Sequence, residues 1–190
     1  MNTTTIQVVG KLLFLDTETV SNQGMTYFDN KENQNDLIQI SFIDELNNSY
    51  DKVIRPFKTY HNSDGWYKDH KLDWNKVKDL NELPSIYSEL KELLEGNTLV
   101  AHNMNFDKNV IYQSLKNYGL PMLENIQWID SKKIYSDYFN ISNRSYSKLE
   151  RLSKQIGVYD ENAHNSLVDA KMLRSVFNNM VRNNIINIIN

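Results

Sequence analysis

The chain contains no cysteine among its 190 residues. This absence excludes disulfide bonds, thiolate metal sites and a cysteine nucleophile. The chain also has no apolar run of the length that crosses a membrane, because Lys11 and Asp16 interrupt the first apolar stretch, and no basic segment typical of a signal peptide precedes that stretch. Internal repeats and low-complexity linkers are absent as well. We therefore predict one cytoplasmic domain over residues 1–190, without a membrane partner.

Positive charge is also scarce. The chain has 21 Lys and Arg residues against 24 Asp and Glu residues, which gives a net charge of −3. A protein that coats duplex nucleic acid by charge alone needs many cationic side chains, so the composition argues against this class. A local excess of cations occupies residues 131–154, where only Asp137 and Glu150 oppose Lys132, Lys133, Arg144, Lys148, Arg151 and Lys154. This segment is either a solvated helix face or a surface that follows a nucleic-acid backbone.

What the chain does have is an alternation of strand-like and helix-like patterns. Residues 11–16, 37–44 and 50–54 predict three strands, with Asn47 and Asn48 as the turn between the last two, and these strands form an antiparallel set. Residues 98–101 and 126–129 predict two further strands. Helices are predicted over 83–94, over 106–118, from a capping box formed by Ser147 and Glu150 to Gly157, and over 166–181. This order predicts an α/β fold with a mixed sheet flanked by helices.

Four acidic residues stand at positions where such folds bind ligands. Asp16 and Glu18 end the first apolar strand, and because residues two apart in a strand share a face, their carboxylates project to the same side while Thr17 points away. Asp107 and Asp169 lie at predicted helix starts near other strand ends. Clustered carboxylates are the ligands that Mg²⁺ or Mn²⁺ prefers, so the four acids predict a site for two divalent ions that cleaves phosphodiesters.

Three short segments carry a resemblance to a known family. The segments are 14–19 (FLDTET), 100–107 (VAHNMNFD) and 164–170 (HNSLVDA), and in this order they resemble the three motifs of DnaQ-like 3′–5′ exonucleases. His164 stands five residues before Asp169, and this spacing resembles that of the subclass called DEDDh. The resemblance spans about residues 11–178 and implies a ribonuclease H-like fold, with an antiparallel meander and parallel strands in one sheet.

The resemblance also implies roles for the five residues of the motifs. Asp16 is expected to bridge two Mg²⁺ or Mn²⁺ ions, Glu18 and Asp169 to hold the ion that carries the attacking water, and Asp107 to hold the second ion through water. His164 is expected to be the general base, since an unperturbed imidazole has a pKa near 6.5. Neighbouring motif residues are expected to contact substrate, namely Thr17, Thr19, His102, Asn103 and Phe106.

Each role has a simpler structural alternative. Asp16 and Glu18 can be polar residues at a strand exit, and His164 can be an ordinary surface loop histidine. Asp107 can merely complement a helix N-terminus, and Ser166 and Asp169 have the spacing of a capping box. His102 competes with His164 as the base, although the resemblance implies that His102 and Asn103 support the turn between a strand and a helix.

The function that the resemblance implies is removal of nucleoside 5′-monophosphates from the 3′ end of single-stranded DNA, in proofreading or repair, with a DNA polymerase as a possible partner. An exoribonuclease acting on RNA 3′ ends and a catalytically silent binding module of the same fold are the alternatives. Two segments have no assigned role. The aromatic residues within 60–74 either stack on unpaired bases or cover the domain's own surface, and the loop over 20–35 departs from the family pattern.

Overall fold

The computed structural model describes residues 2–20, 35–59, 72 and 74–189. Most of the loop over 20–35 and most of the aromatic segment over 60–74 therefore lie outside the described residues. Trp74 is described, and its partly buried side chain packs against Val20, Ile38 and Val77.

A five-stranded mixed sheet forms the centre of the described structure. Its strands are β2 (Leu12–Val20), β3 (Asp36–Asp44), β4 (Ser49–Val53), β5 (Thr98–Ala101) and β6 (Gln127–Asp130), arranged in the order β4-β3-β2-β5-β6. β2, β3 and β4 pair antiparallel, whereas β5 and β6 continue the sheet parallel to β2. The predicted antiparallel meander with added parallel strands is thus confirmed.

The first of the predicted strands is longer than expected. We predicted a strand over 11–16 that places Glu18 beyond its end, but β2 continues to Val20 because β3 pairs with it as far as Asp36. Its parallel neighbour β5 pairs only with Leu12 to Phe14. The acids of β2 therefore lie within the strand, beyond the end of the parallel pairing.

A second, two-stranded sheet was not predicted. β1 (Thr4–Gln7) pairs in parallel with β7 (Ile186–Ile189) near the other end of the chain. Each partner is four residues long, and β1 has one buried side chain, Ile6. Such short segments show little periodicity by themselves, so only the long-range pairing defines them.

Six helices are described in addition to a 3₁₀ turn over Arg144–Ser147. The helices are α1 (Trp74–Val77), α2 (Leu83–Leu94), α3 (Met104–Asn117), α4 (Ser131–Tyr138), α5 (Leu149–Gln155) and α6 (Ser166–Arg182). The predicted helices correspond to α2, α3, α5 and α6, whereas α1 and α4 were not predicted. None of the helices in these described segments is long and apolar enough to cross a membrane.

The alternation of side chains along β2 divides the core into two layers. Leu13 and Leu15 face a buried cluster with side chains of α2 and α3. Phe14 faces the opposite cluster with α6, where its ring meets that of Phe177 edge to face at a centroid distance of 5.4 Å. This two-residue alternation sends Asp16 toward the α6 layer and Thr17 toward α3.

The predicted capping box at the start of α5 does not form. Lys148 is the N-cap residue and makes no side-chain capping hydrogen bond, so the helix begins one residue later than a box from Ser147 requires. Glu150 instead accepts a hydrogen bond from Lys154 at 2.6 Å, four residues along the helix. The pairing of Glu150 with Lys154 is a common stabilising arrangement on exposed helix faces.

Candidate functional site

Three carboxylates meet beside the middle of the sheet. The side chains of Asp16, Glu18 and Asp169 each place one oxygen within 4.8 Å of the others. Asp16 and Glu18 come from β2, and a β-bulge follows immediately because the register with β3 shifts between Glu18 and Thr19. Bulges recur next to active sites, where they redirect side chains and end regular pairing. Residues 153 positions apart in the sequence thus form one cluster.

Asp107 stands next to this cluster but is held differently. It lies in the first turn of α3, and its Oδ1 accepts hydrogen bonds from the Thr17 backbone N at 3.0 Å and from the Thr17 hydroxyl at 2.8 Å. Thr17 lies between the two acids of β2 in the sequence, and its side chain is buried on the opposite face of the strand. Its hydroxyl therefore fixes Asp107 relative to the strand. The carboxylate of Asp107 therefore has a defined orientation and is more than a complement to the helix N-terminus.

The proximity of these acids is electrostatically unfavourable. Burial raises the pKa of Asp16 well above its usual value, and the carboxylates of Asp107, Asp169 and Glu18 raise it further. Burial raises the pKa of Asp107 to about 7, against the hydrogen bonds from Thr17, and Glu18 raises it as well. A divalent cation between these groups replaces the repulsion with attraction. The four oxygen-donor side chains fit a hard cation such as Mg²⁺ or Mn²⁺, which prefers carboxylate and water ligands.

α6 places Asp169 through a cap that the sequence analysis did not identify. Asn165 is the N-cap residue, and its Oδ1 accepts hydrogen bonds from the backbone N of Leu167 at 3.2 Å and of Val168 at 3.3 Å. Ser166 and Asp169 therefore do not form the capping box that their spacing allowed. Asp169 faces the acids of β2 and also accepts a hydrogen bond from the backbone N of His164, the residue before the N-cap.

A buried polar network fixes the start of α6 against β3. The Ser41 hydroxyl donates to Asp51 at 2.7 Å, so the 2.6 Å contact between the Ser166 and Ser41 hydroxyls has Ser166 as the donor. The Ser166 backbone N also contacts Gln39 Oε1 at 3.4 Å, and the Gln39 amide donates to Asp51 at 2.8 Å. Because β2 and β3 are adjacent, this network sets the distance of α6 from the acids.

The sequence did contain a signal for this network. Gln39 and Ser41 interrupt the apolar residues of β3 at a spacing of two, so both project from the same face of a fully buried strand. Buried polar side chains need hydrogen-bond partners, and two on one face indicate a polar element packed there. We did not use that signal, and these residues were not predicted as part of the site.

His164 lies at the edge of the carboxylate cluster. It is exposed, and its backbone N contacts Asp169 Oδ2 at 3.2 Å. Its φ of 67° lies in the left-handed region, which costs a residue with a β-carbon roughly 1 kcal/mol. Such strain persists where the surroundings require it and is concentrated at functional sites. The position next to Asp169 and the solvent access of its ring suit the predicted general base.

His102 is enclosed and structural in character. Its Nε2 lies 2.6 Å from the Ser147 carbonyl, which only accepts, so Nε2 carries a proton. Its Nδ1 lies 3.0 Å from the Ser131 hydroxyl. Burial lowers the pKa of His102 to about 4, although the Ser147 carbonyl raises it. A neutral imidazole that links β5 to the turn before α5 lacks the exposed, proton-accepting nitrogen that a general base needs.

The other predicted substrate contacts lie around the same turn. Asn103 is the N-cap residue of α3 with a φ of 86°, and its backbone N contacts Asp130 Oδ1 at 3.3 Å. Phe106 is partly buried against the core layer of α2 and α3. Thr19 follows the bulge and is half-buried. Contact of these residues with substrate stays a prediction.

Comparison with known proteins gives one family match and several similar structures. The model of the RNase T family, described as exonuclease, matches residues 13–177. The nuclease domain of 3′hExo, a DEDDh family member solved with bound rAMP, is similar with a TM-score of 0.74 and 16% identity, over 90% of this chain and 92% of that chain. A comparison with curated protein sequences finds no match.

Two further solved structures are similar over the same share of the chain. Exonuclease X in complex with 5′-overhanging duplex DNA has a TM-score of 0.64 and 18% identity, and 92% of that chain is covered. Cell-death related nuclease 4 has a TM-score of 0.69 and 16% identity, with 64% of that chain covered. At these identities the structures bear on the fold, and they confirm the ribonuclease H-like α/β architecture.

Proposed function

The chain belongs to the RNase T exonuclease family, and from this premise we propose that it removes nucleoside 5′-monophosphates from the 3′ end of single-stranded DNA. The observation that carries the proposal is that carboxylate oxygens of Asp16, Glu18 and Asp169 lie within 4.8 Å of one another. At their edge, the His164 backbone N donates a hydrogen bond to Asp169. The 3′–5′ direction and the preference for DNA are parts of the proposal.

The same acids would hold two divalent ions, Mg²⁺ or Mn²⁺. Asp16 would contact both ions, Glu18 and Asp169 would hold one, and Asp107, fixed by Thr17, would hold the other through water. Two such ions generate a nucleophilic hydroxide from bound water and stabilise the charge that develops on the phosphate and on the leaving 3′ oxygen. His164 would accept the proton of the attacking water, and its exposed position leaves its ring free to reach that water.

RNA 3′ ends are the second candidate substrate. The similar structures include one solved with rAMP and one solved with DNA, so the fold accommodates both sugars. A role in proofreading or repair and a DNA polymerase partner remain predictions that follow from the preference for DNA, and a cytoplasmic location remains a prediction from the composition of the chain. A catalytically silent module is the third candidate, and it predicts binding without product.

Purified protein with oligonucleotides labelled at the 5′ end tests these candidates together. We expect a ladder that shortens from the 3′ end in Mg²⁺ or Mn²⁺, faster with single-stranded DNA than with RNA of the same sequence, and no product with a chelator. Circular single-stranded DNA should stay intact because it has no 3′ end.

Two variants make the assay specific for the carboxylate cluster. Asp16→Asn should abolish the ladder, whereas the matched control Asp79→Asn, which changes an exposed acid on the turn after α1, should leave it unchanged. A ladder of normal rate from the Asp16→Asn protein would overturn the proposal. Faster shortening of RNA would assign the exoribonuclease function instead.

A further inference from the structure

A shallow, positively charged depression lies on α5, on the same side of the sheet as the carboxylate cluster. A cavity of about 500 Å³ is lined by Lys148, Glu150, Arg151, Lys154 and Gln155, all of which lie on α5 or at its N-cap. We refer to this feature as the basic groove. It carries three cationic side chains and one acid in a chain whose net charge is −3. The basic groove is thus a local reversal of the overall charge.

The charges of the basic groove are arranged unfavourably for the helix itself. Lys148, Arg151 and Lys154 follow one another at intervals of three residues, and like charges at this spacing repel one another. Lys148 is also the N-cap residue, where the helix dipole disfavours a cation. Lys154 forms an ion pair with Glu150 at 2.6 Å. An anion bound in the groove would offset the repulsion between the remaining cations.

Aromatic rings accompany two of the cations. The guanidinium carbon of Arg151 lies 4.3 Å from the ring centroid of Tyr146, and Lys154 Nζ lies 4.4 Å from that of Tyr159. Tyr146 is 48% exposed, so one face of an aromatic ring is offered to solvent next to a fixed guanidinium. Cationic side chains interleaved with exposed aromatic rings are the combination that binds the phosphates and bases of single-stranded nucleic acid.

The basic groove is also held in a fixed position relative to the site. The Ser147 carbonyl, directly before Lys148, accepts the hydrogen bond from partly buried His102. Leu152 packs into the same core cluster as the buried side chains of α6, the helix that carries Asp169. The basic groove therefore lies on the same side of the sheet as the carboxylate cluster.

We propose that the basic groove binds the backbone of a single-stranded nucleic acid upstream of its 3′ end, while the 3′-terminal nucleotide occupies the carboxylate cluster. Lys148 and Arg151 contact phosphates, and Tyr146 stacks on a base. At a helical rise of about 1.5 Å per residue, the cations from Lys148 to Lys154 extend along about 9 Å of the helix axis, enough to contact more than one phosphate. This inference rests on the proposed function and specifies how its substrate is held.

Binding measured without hydrolysis separates the two proposals. In a chelating buffer, a fluorescent 12-nucleotide single strand should bind the wild-type protein, and the double variant Lys148→Gln with Arg151→Gln should bind it about tenfold more weakly. The logarithmic salt dependence of binding should become shallower by about 1.4, since each phosphate contact to a single strand contributes about 0.7. If no ladder forms in the nuclease assay, the proposed function fails, but the binding measured in chelating buffer still tests the basic groove independently.

Activity on two substrates locates the effect. The double variant should show a raised KM for the 12-nucleotide strand and an unchanged rate with the p-nitrophenyl ester of thymidine 5′-monophosphate, which is too small to reach the groove. The matched control, Lys91→Gln with Lys116→Gln, removes the same charge from exposed positions of α2 and α3 on the opposite side of the sheet and should bind normally. Arg151→Lys, which keeps the charge, should retain most of the binding.

Three outcomes would overturn the inference. The double variant could bind the single strand as tightly as the wild type. The control pair could lose as much affinity, which would indicate a general effect of net charge. Polyglutamate could compete for the groove as well as the oligonucleotide does, which would assign the groove to an acidic protein partner instead.

Discussion

Lowering the pH should destabilise the protein through His102. The free imidazole has a pKa near 6.5, whereas burial lowers the pKa of His102 to about 4 in the folded protein. The unfolded chain therefore binds a proton that the folded protein rejects, so the stability due to His102 is complete above pH 6.5 and is lost as the pH falls toward 4. A difference of 2.5 units at 1.36 kcal/mol each corresponds to about 3 kcal/mol.

Chemical denaturation at a series of pH values measures this contribution if a non-titrating variant is the reference. In His102→Gln, the side-chain amide can still donate to the Ser147 carbonyl, but it cannot take up a proton in this range. The free energy of unfolding of the wild type minus that of the variant should fall by about 3 kcal/mol between pH 7.5 and pH 4.

The reference is needed because the acids of the site titrate in the opposite sense. Burial and mutual repulsion raise the pKa values of Asp16 and Asp107, so the stability related to these groups is greatest at low pH and is lost as the pH rises. The difference between wild type and His102→Gln cancels this background. Two stability curves that stay parallel from pH 7.5 to 4 would refute the assignment of His102 as a buried, neutral hydrogen-bond donor.

Three further predictions concern the site. Mn²⁺ at 100 times its dissociation constant should stabilise the wild type by about 2.7 kcal/mol and should stabilise Asp16→Asn much less. Thermal unfolding with and without chelator measures this difference, and equal changes in unfolding temperature for the two proteins would place the ion elsewhere. His164→Asn should lower kcat by about 10² to 10⁴ while its unfolding free energy stays within about 0.5 kcal/mol, because asparagine tolerates a left-handed backbone; unchanged kcat would exclude His164 as the base. Ser166→Ala should cost about 1 to 3 kcal/mol in urea denaturation and reduce kcat, since it leaves buried Ser41 without its donor; Ser175→Ala on the exposed face of α6 is the control.

The sheet and its acids could be predicted because their signals are local. The apolar run before Asp16 marks a buried strand, and a spacing of two places Asp16 and Glu18 on one face whatever the rest of the chain does. The left-handed residue at the end of a helix is equally local, and Gly96 and Gly119 follow the ends of α2 and α3 with positive φ values. These signals depend on covalent geometry and do not require knowledge of distant partners.

The features that escaped prediction depend on pairing across the chain. β1 and β7 are defined by each other, although about 180 residues separate Thr4 from Ile186. α4 is the exception, because it is a local element of only eight residues that begins directly after β6, where Asp130 accepts a hydrogen bond from the Lys133 backbone N. The contact of Ser41 with Ser166 likewise exists only after β3 and α6 have packed.

The functional residues fall between these two cases. The motifs identified Asp16, Glu18 and Asp169 as candidates, but the way in which Asp169 is held against β2 is visible only in the folded protein. Asn165 caps α6 and Ser166 fastens it to β3, which brings Asp169 to the two acids of the strand. The candidate carboxylates were thus identifiable from residue types, whereas the hydrogen bonds that hold them together were not.

Diffraction from crystals grown with Mn²⁺ and thymidine 5′-monophosphate tests the central claim most directly. Anomalous scattering should show one Mn²⁺ about 2.1 Å from carboxylate oxygens of Asp16, Glu18 and Asp169, and a second that shares Asp16 and lies on the side of Asp107. Anomalous peaks only elsewhere on the protein, with the three carboxylates hydrogen-bonded to water or to one another, would contradict it.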